Sequence, residues 1–279
     1  MTPEHPPTAR TSLEADGFHI ADYHSARPFS SFLPGIAGEV GKPLWVFHTN
    51  RGQCIASFGV RDKNGAMLEF HAADKAYALT GLLGFRSFFK IETAQGPLLH
   101  EPFQSGAGAE VEQRLSIRPE EIEIVETHAG LGLRVRVLYF TLPNENLPAL
   151  VRRVTVENIG TAPLRAEVLD GLPQIVPYGL EEKLLKAMSR TMQAFAEIRH
   201  VEERLPLFKL KVEPSDKPEM EVIEGGFFAF TLRHGPGNDE VLPIVADPDL
   251  VFGYDTGLRT PLASCRPAPS TPPAAAPKP

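Results

Sequence analysis

The sequence predicts a mainly β protein, a large antiparallel β-sandwich with one amphipathic helix packed outside it. Three observations point there. Short apolar runs recur between Asn, Gly and Pro turn signals. The 27 prolines fall at both ends of the chain and singly between those runs, where they would punctuate short strands. Only one stretch has apolar residues at helical spacing.

Residues 42–74 read as a meander: KPLWVFHT, the turn NRGQ, CIASFGVRD, the turn KNG, and AMLEFHAAD. Further strands are expected at 85–92, 112–118, 121–127 and 132–141. The last two alternate apolar and polar, as a sheet with one solvated face does. Residues 149–170 read as a hairpin, with Val151, Val154 and Val156 before the turn NIGTAP and Leu164, Ala166 and Val168 after it. Asn158 and Gly160 are expected to supply the unusual φ of the reversal. In 179–204, Leu180, Leu184, Met188, Met192 and Phe195 share one helical face, which predicts a helix whose stripe joins the core. Strands resume at 207–213, 219–224, 227–233 and 241–246. This organisation predicts one domain over 16–263, flanked by segments without fixed structure at 1–15 and at the Pro/Ala-rich 264–279.

Composition removes several classes of function. A net charge of −7 without clustered Lys or Arg gives no footprint for nucleic acid or an anionic membrane. The first residues contain no apolar core of a signal peptide, and no apolar run approaches the roughly 20 residues of a membrane span. Cys54 and Cys265 have neither disulfide nor zinc spacing, so a soluble cytoplasmic protein with reduced thiols is expected. The nine histidines are scattered without i, i+4 pairing, and no metal site or cofactor is expected.

No nucleophile elbow, phosphate loop or dinucleotide fingerprint is present, and GAGAE at 106–110 lacks the lysine and serine of a phosphate cradle. The acidic groups Glu120, Glu121 and Glu123, and Glu181 with Glu182, suit solvated faces and a helix start better than a catalytic carboxylate pair. No catalytic residue is assigned. Sugar faces stack on aromatic rings, which makes Trp45, the single tryptophan, and Tyr77 candidates for carbohydrate binding. Core packing is the competing account of Trp45. Arg51 and Gln53 in the turn NRGQ carry planar polar groups suited to hydroxyls, with an ordinary hairpin turn as the alternative.

Taken in order, residues 16–59, GFRSFFKI at 84–91, VTVENIGTAPLRAEVLDGLPQIVPYGL beginning at 154 and LKAMSRTMQAF ending at 195 resemble the amino-terminal region of cellobiose-phosphorylase-like proteins. Those are inverting glycoside phosphorylases, the β-1,2-oligoglucan phosphorylases among them. The resemblance runs from about Asp16 to Leu262. It implies a large β-sandwich that in the family precedes an (α/α)6 barrel carrying the catalytic aspartate. It implies further that this chain stops short of the barrel and is a truncated product or a separately encoded module, so the family's catalytic residues have no positions here. The expected partners are a β-glucan oligosaccharide, a barrel chain or a second copy. The expected function is a non-catalytic carbohydrate-binding or docking domain. Half of a split phosphorylase and a protein-interaction module are the alternatives.

Overall fold

A computed structural model of the chain describes residues 9–214, 218–219, 221–235 and 237–262. The protein is mainly β and built of antiparallel sheets. The tail 264–279, Cys265 and residues 1–8 lie outside the described residues.

One layer is a six-stranded sheet in the order β1-β2-β8-β9-β10-β11. Its strands are β1 Arg10–Glu14, β2 Gly17–Ala21, β8 Val111–Ile117, β9 Glu121–His128, β10 Leu133–Thr141 and β11 Leu150–Asn158. Register explains the alternation seen in the sequence. Leu115, Ile124 and Val137 lie opposite one another across β8, β9 and β10, as do Ile117, Ile122 and Tyr139. Period-two geometry sends these residues to the core and leaves Glu121, Glu123, Arg134 and Arg136 on the outer face, where Arg136 pairs with Glu123, Arg118 with Glu121 and Glu123, and Arg134 with Glu157. β1 lies inside the segment expected to be without structure: Arg10–Glu14 pairs in register with β2.

Two three-stranded sheets cover the inner face, β3-β4-β5 and β12-β6-β7. They are built from β3 Ser30–Leu33, β4 Trp45–Thr49, β5 Ile55–Gly59, β6 Arg86–Thr93, β7 Gly96–His100 and β12 Ala166–Gly171. Leu33, Val46, Ile55, Phe58, Phe89 and Ile91 meet Ile20, Leu115, Ile124, Val135 and Tyr139 in one continuous core, a sandwich-like packing of sheet on sheet.

The expected hairpin 149–170 does not form. β11 pairs with β10 in one layer, and β12 pairs with β6 in the other. The turn between them crosses from sheet to sheet. Asn158 Oδ1 accepts from the Gly160 N–H and its Nδ2 donates to the Ala162 carbonyl, so side-chain hydrogen bonds make this turn. Neither residue has a positive φ.

AMLEFHAAD is not a strand either. Only Ala66 forms a bridge, with Gly59, and from Ala73 the chain enters the helix α1 Ala73–Leu83. Ala and Leu favour the helix, Asp74 suits its first turn, and Ala76 and Thr80, four residues apart, are buried against the sheet. α1 approaches the turn after β4 through Gly81 and Gly52. Gly52 has φ +52, and a Cβ there would lie 2.6 Å from Gly81 Cα.

The stripe Leu180, Leu184, Met188, Met192 and Phe195 packs with Leu210 and Ile223 in a second cluster, with Leu180, Met192 and Leu210 buried and the others half-buried. It does so on a shorter helix, α2 Glu182–Met188, continued by a 3-10 segment to Phe195. Ala196–Arg199 then enters a strand, β13. β13 pairs with β14 Leu207–Leu210, and β14 with β15 Phe227–Phe228. The strands expected at 227–233 and 241–246 shrink to two-residue pieces, β15, β16 Leu232–Arg233 and β17 Glu240–Val241. That expected at 219–224 reduces to a bridge at Val222.

The last described helix, α3 Asp249–Phe252, packs on the sandwich through Phe252 against Phe88, and Arg86 fastens the segment that follows it. Its guanidinium pairs with Glu101 at 2.6 and 2.9 Å and donates to the Leu258 and Arg259 carbonyls.

Two expectations follow. Gly52→Ala combines a left-handed φ with a backbone clash and should cost more than about 1 kcal/mol of stability, measured by urea unfolding. Burial holds His48 at a pKa of about 4, and burial also lowers His24 to about 4, against a hydrogen bond to the Phe103 carbonyl that acts the other way. Unfolded histidines titrate near about 6.5, so between these values the unfolded chain binds more protons. Stability from both groups should be complete above pH ~6.5 and fall as pH drops towards ~4. The urea midpoint of His48→Phe should fall less steeply across that window than that of the wild type.

Candidate functional site

The face of β3-β4-β5 turned away from the core carries a cluster of aromatic rings. Phe32 lies opposite Phe47 in the β3-β4 register, and Trp45 is on the same face of β4 as Phe47, two residues away. Phe70, from the loop before α1, completes the cluster, with its ring centroid 5.1 Å from Phe47, 5.9 Å from Trp45 and 6.4 Å from Phe32. Phe47 is buried, Trp45 and Phe70 are half-buried, and Phe32 is 52 % exposed. The cluster thus presents ring surface to solvent from a hydrogen-bonded sheet, where neighbouring rings fix each rotamer. The indole Nε1 of Trp45 is buried and has no hydrogen-bond partner among the described residues.

Tyr77 joins this face from α1. Its hydroxyl lies 3.4 Å from Ser30 Oγ, one step along β3 from the aromatic cluster, while Thr80 of the same helix accepts a hydrogen bond from Thr49. Of the four residues expected to bind carbohydrate, the structure therefore brings Trp45 and Tyr77 to one face. Phe32 and Phe70, which share it, could not be singled out in the sequence. Phe32 follows a Ser pair that looks like loop, and Phe70 falls in the segment read as a strand.

Arg51 and Gln53 lie elsewhere. The NRGQ turn is built into the interior. Asn50 is fully buried, accepts from the Phe29 N–H at 3.0 Å and donates to the Tyr23 and Arg27 carbonyls at 3.1 Å each. Arg51 donates to the Asn50 and Ala26 carbonyls, and the Tyr23 hydroxyl donates to the Gly52 carbonyl at 2.5 Å. These polar groups satisfy backbone that the core would otherwise strand without water. Next to them, Cys54 has φ +68, and burial pushes its thiol far above the ordinary range.

Gln53, 3 % exposed, belongs to a buried polar network centred on Arg152 of β11. Arg152 donates to Gln53 Oε1 at 2.5 Å, Ser87 Oγ at 3.1 Å and the Tyr139 hydroxyl at 3.2 Å, and pairs with Asp170 of β12. Ser87 in turn donates to Asp170 at 2.5 Å and accepts from Gln53 Nε2 at 3.1 Å. The guanidinium carbon sits 5.0 Å from the Phe85 ring centroid. Burial alone would lower the Arg152 pKa, but Asp170 and Tyr139 raise it above its ordinary value, so the cation is fixed. A buried carboxylate, Glu126, accepts from the Phe103 N–H at 2.5 Å, Gln113 at 2.8 Å and His100 at 2.9 Å. Phe85, Phe88 and Phe89, aromatic in sequence near Tyr77, are spent on packing against Tyr139, Phe252 and the core.

The concavities are shallow. A cleft of about 390 Å³ beside β14 is lined by His200, Glu203, Leu205, Leu207 and Phe228. A second, of about 200 Å³, lies along β6 and β12 at Phe88, Lys90, Leu99, Glu167, Val168 and Leu169. No helix among the described residues is long and apolar enough to cross a membrane. A scan against protein-family models finds no match to the chain, and a search of curated proteins finds none either.

Because the Arg152 side chain bridges β10, β6, β12 and the turn after β4, Arg152→Ala strips the buried Gln53 carbonyl of its donor and should cost about 1–3 kcal/mol, read from denaturant unfolding.

Proposed function

We propose that the chain is a non-catalytic carbohydrate-binding β-sandwich domain of the cellobiose-phosphorylase-like type, and that the Phe32, Trp45 and Phe70 face is its sugar surface. The observation that carries this reading is the half-exposed ring cluster held on a rigid sheet, since flat apolar rings are what the C–H faces of glucose units stack on. Tyr77 and Ser30 set hydroxyls at one end of the cluster, where sugar hydroxyls could be met. The non-catalytic part of the reading rests on where the chemistry-bearing side chains are. Ser87, Arg152 and Glu126 are bonded to other side chains or to backbone inside the sandwich, and Asp170, at its edge, is engaged by Ser87 and Arg152. We take the working environment to be the cytoplasm, in line with the single described thiol being buried and unpaired.

A second reading, docking of a barrel chain, is favoured by one feature. β11 and β12 are edge strands of facing layers. Beside them Val156 and Val168 are 46 % and 51 % exposed. An exposed valine on each of two unpaired edges is suited to a protein surface.

Trp45 is the only tryptophan, so its fluorescence reports on the proposed face alone. Titration with cello-oligosaccharides and with β-1,2-linked gluco-oligosaccharides should give a saturable change for one series. Phe32→Ala should weaken binding about fivefold, the equivalent of about 1 kcal/mol for a lost ring contact. Silence in both fluorescence and calorimetry at millimolar oligosaccharide overturns the sugar reading. Stable capture of an (α/α)6 barrel chain, lost on Val168→Asp, would replace it with the docking reading.

A further inference from the structure

The turn between β1 and β2 brings together one imidazole and two carboxylates that no sequence spacing announced. His19 Nε2 lies 3.1 Å from Asp16 Oδ1 and 3.9 Å from Glu14 Oε2, and one ligand atom from each of the three falls within 4.8 Å of the others. We propose that Glu14, Asp16 and His19 form a binding site for a divalent first-row transition ion of the zinc type, with water completing its coordination.

The separations fit the chemistry. Ligand atoms at 2.0–2.1 Å from a tetrahedral Zn²⁺ stand about 3.3 Å apart, between the two distances from His19 Nε2. One imidazole nitrogen with two carboxylate oxygens is a donor set that suits Zn²⁺, Mn²⁺ or Fe²⁺.

Each ligand is also oriented by a residue that is not a ligand. His19 is 3 % exposed and its Nδ1 is bound to Ser116 Oγ of β8 at 2.8 Å, which turns Nε2 alone towards the two carboxylates. Ser12 donates to Glu14 Oε1 at 3.1 Å and leaves Oε2 for the site. Arg118 donates to Asp16 Oδ2 at 3.3 Å and leaves Oδ1. The ordering follows from register: Ser12, His19 and Ser116 lie side by side across β1, β2 and β8, on the outer face of the sheet.

Arg118 does not turn the locality positive, because it also pairs with Glu121 and Glu123.

The test uses the full chain freed of metal by chelation, with Zn²⁺ and Co²⁺ as probes. One equivalent of Co²⁺ should give visible absorption bands of a low-coordinate site, and Zn²⁺ should both displace it and raise the thermal midpoint. Glu14→Gln and Asp16→Asn change exposed side chains and should keep the fold, checked by circular dichroism. Each should weaken metal binding at least tenfold and remove the thermal shift. Ser116→Ala should weaken binding about tenfold through loss of ring orientation. Absence of one-equivalent binding in the wild type, or its survival in Glu14→Gln and Asp16→Asn, overturns the proposal. These readouts are independent of sugar binding, so neither result decides the other.

Discussion

The ion pair between Arg152, whose side chain is nearly enclosed, and Asp170, which keeps part of its carboxylate in solvent, is the constraint on which the sandwich turns. β10 and β11 belong to one layer, β6 and β12 to the other, and the turn after β4 lies between them. Arg152 touches all of these through Tyr139, Ser87, Asp170 and Gln53. A guanidinium in this position is costly to desolvate, and only a full set of acceptors offsets that cost. The reward is positional. A planar cation with acceptors on several elements fixes how the two layers are set against each other, which apolar packing alone specifies loosely.

The same logic extends to the interior turn. Asn50, Arg51 and Gln53 look in sequence like a solvent-facing hairpin, and each is consumed in tying the turn to Tyr23, Ala26, Arg27 and Phe29 or to the Arg152 network. With that turn immobilised, β4 is held rigid. Helix α1 closes over one end of its outer face through Gly52 and Gly81, and the ring cluster at the other end stays half open. The proposed sugar surface is therefore a by-product of how the polar interior is satisfied. Arg86 applies the same device at the carboxy-terminal side, where one guanidinium joins Glu101 to the backbone at Leu258 and Arg259.

Legibility followed the range of the interaction. The strands near 112–118, 121–127 and 132–141 were readable because one face is core and the other is charged, and the pleat writes that difference into every second residue. The stripe from Leu180 to Phe195 was readable as a set that packs together, yet the helix expected over 179–204 is an α-helix, then a 3-10 helix to Phe195, then a strand from Ala196. Pairing of Ala196 and Ile198 with β14 outweighs helical continuation there. The segment at 66–74 was misread because short apolar runs with Phe and Met suit either state. Packing of Ala76 and Thr80 on the sheet decided the helix that follows.

Thus the sequence by itself determined the mainly β class, most strands of the six-stranded sheet, and the aromatic character of β4. Each of these follows from local composition and from the two-residue period of the pleat. Only the tertiary structure decided that β11 and β12 part into different layers, since Asn158 and Gly160 make an equally good turn for a hairpin or for a crossing. It alone separated Trp45 and Tyr77 from Arg51 and Gln53, and brought Glu14 and Asp16 to His19 with Ser116 behind it. Such groupings depend on register and on contacts between residues far apart in the chain, and neither leaves a local pattern in the sequence.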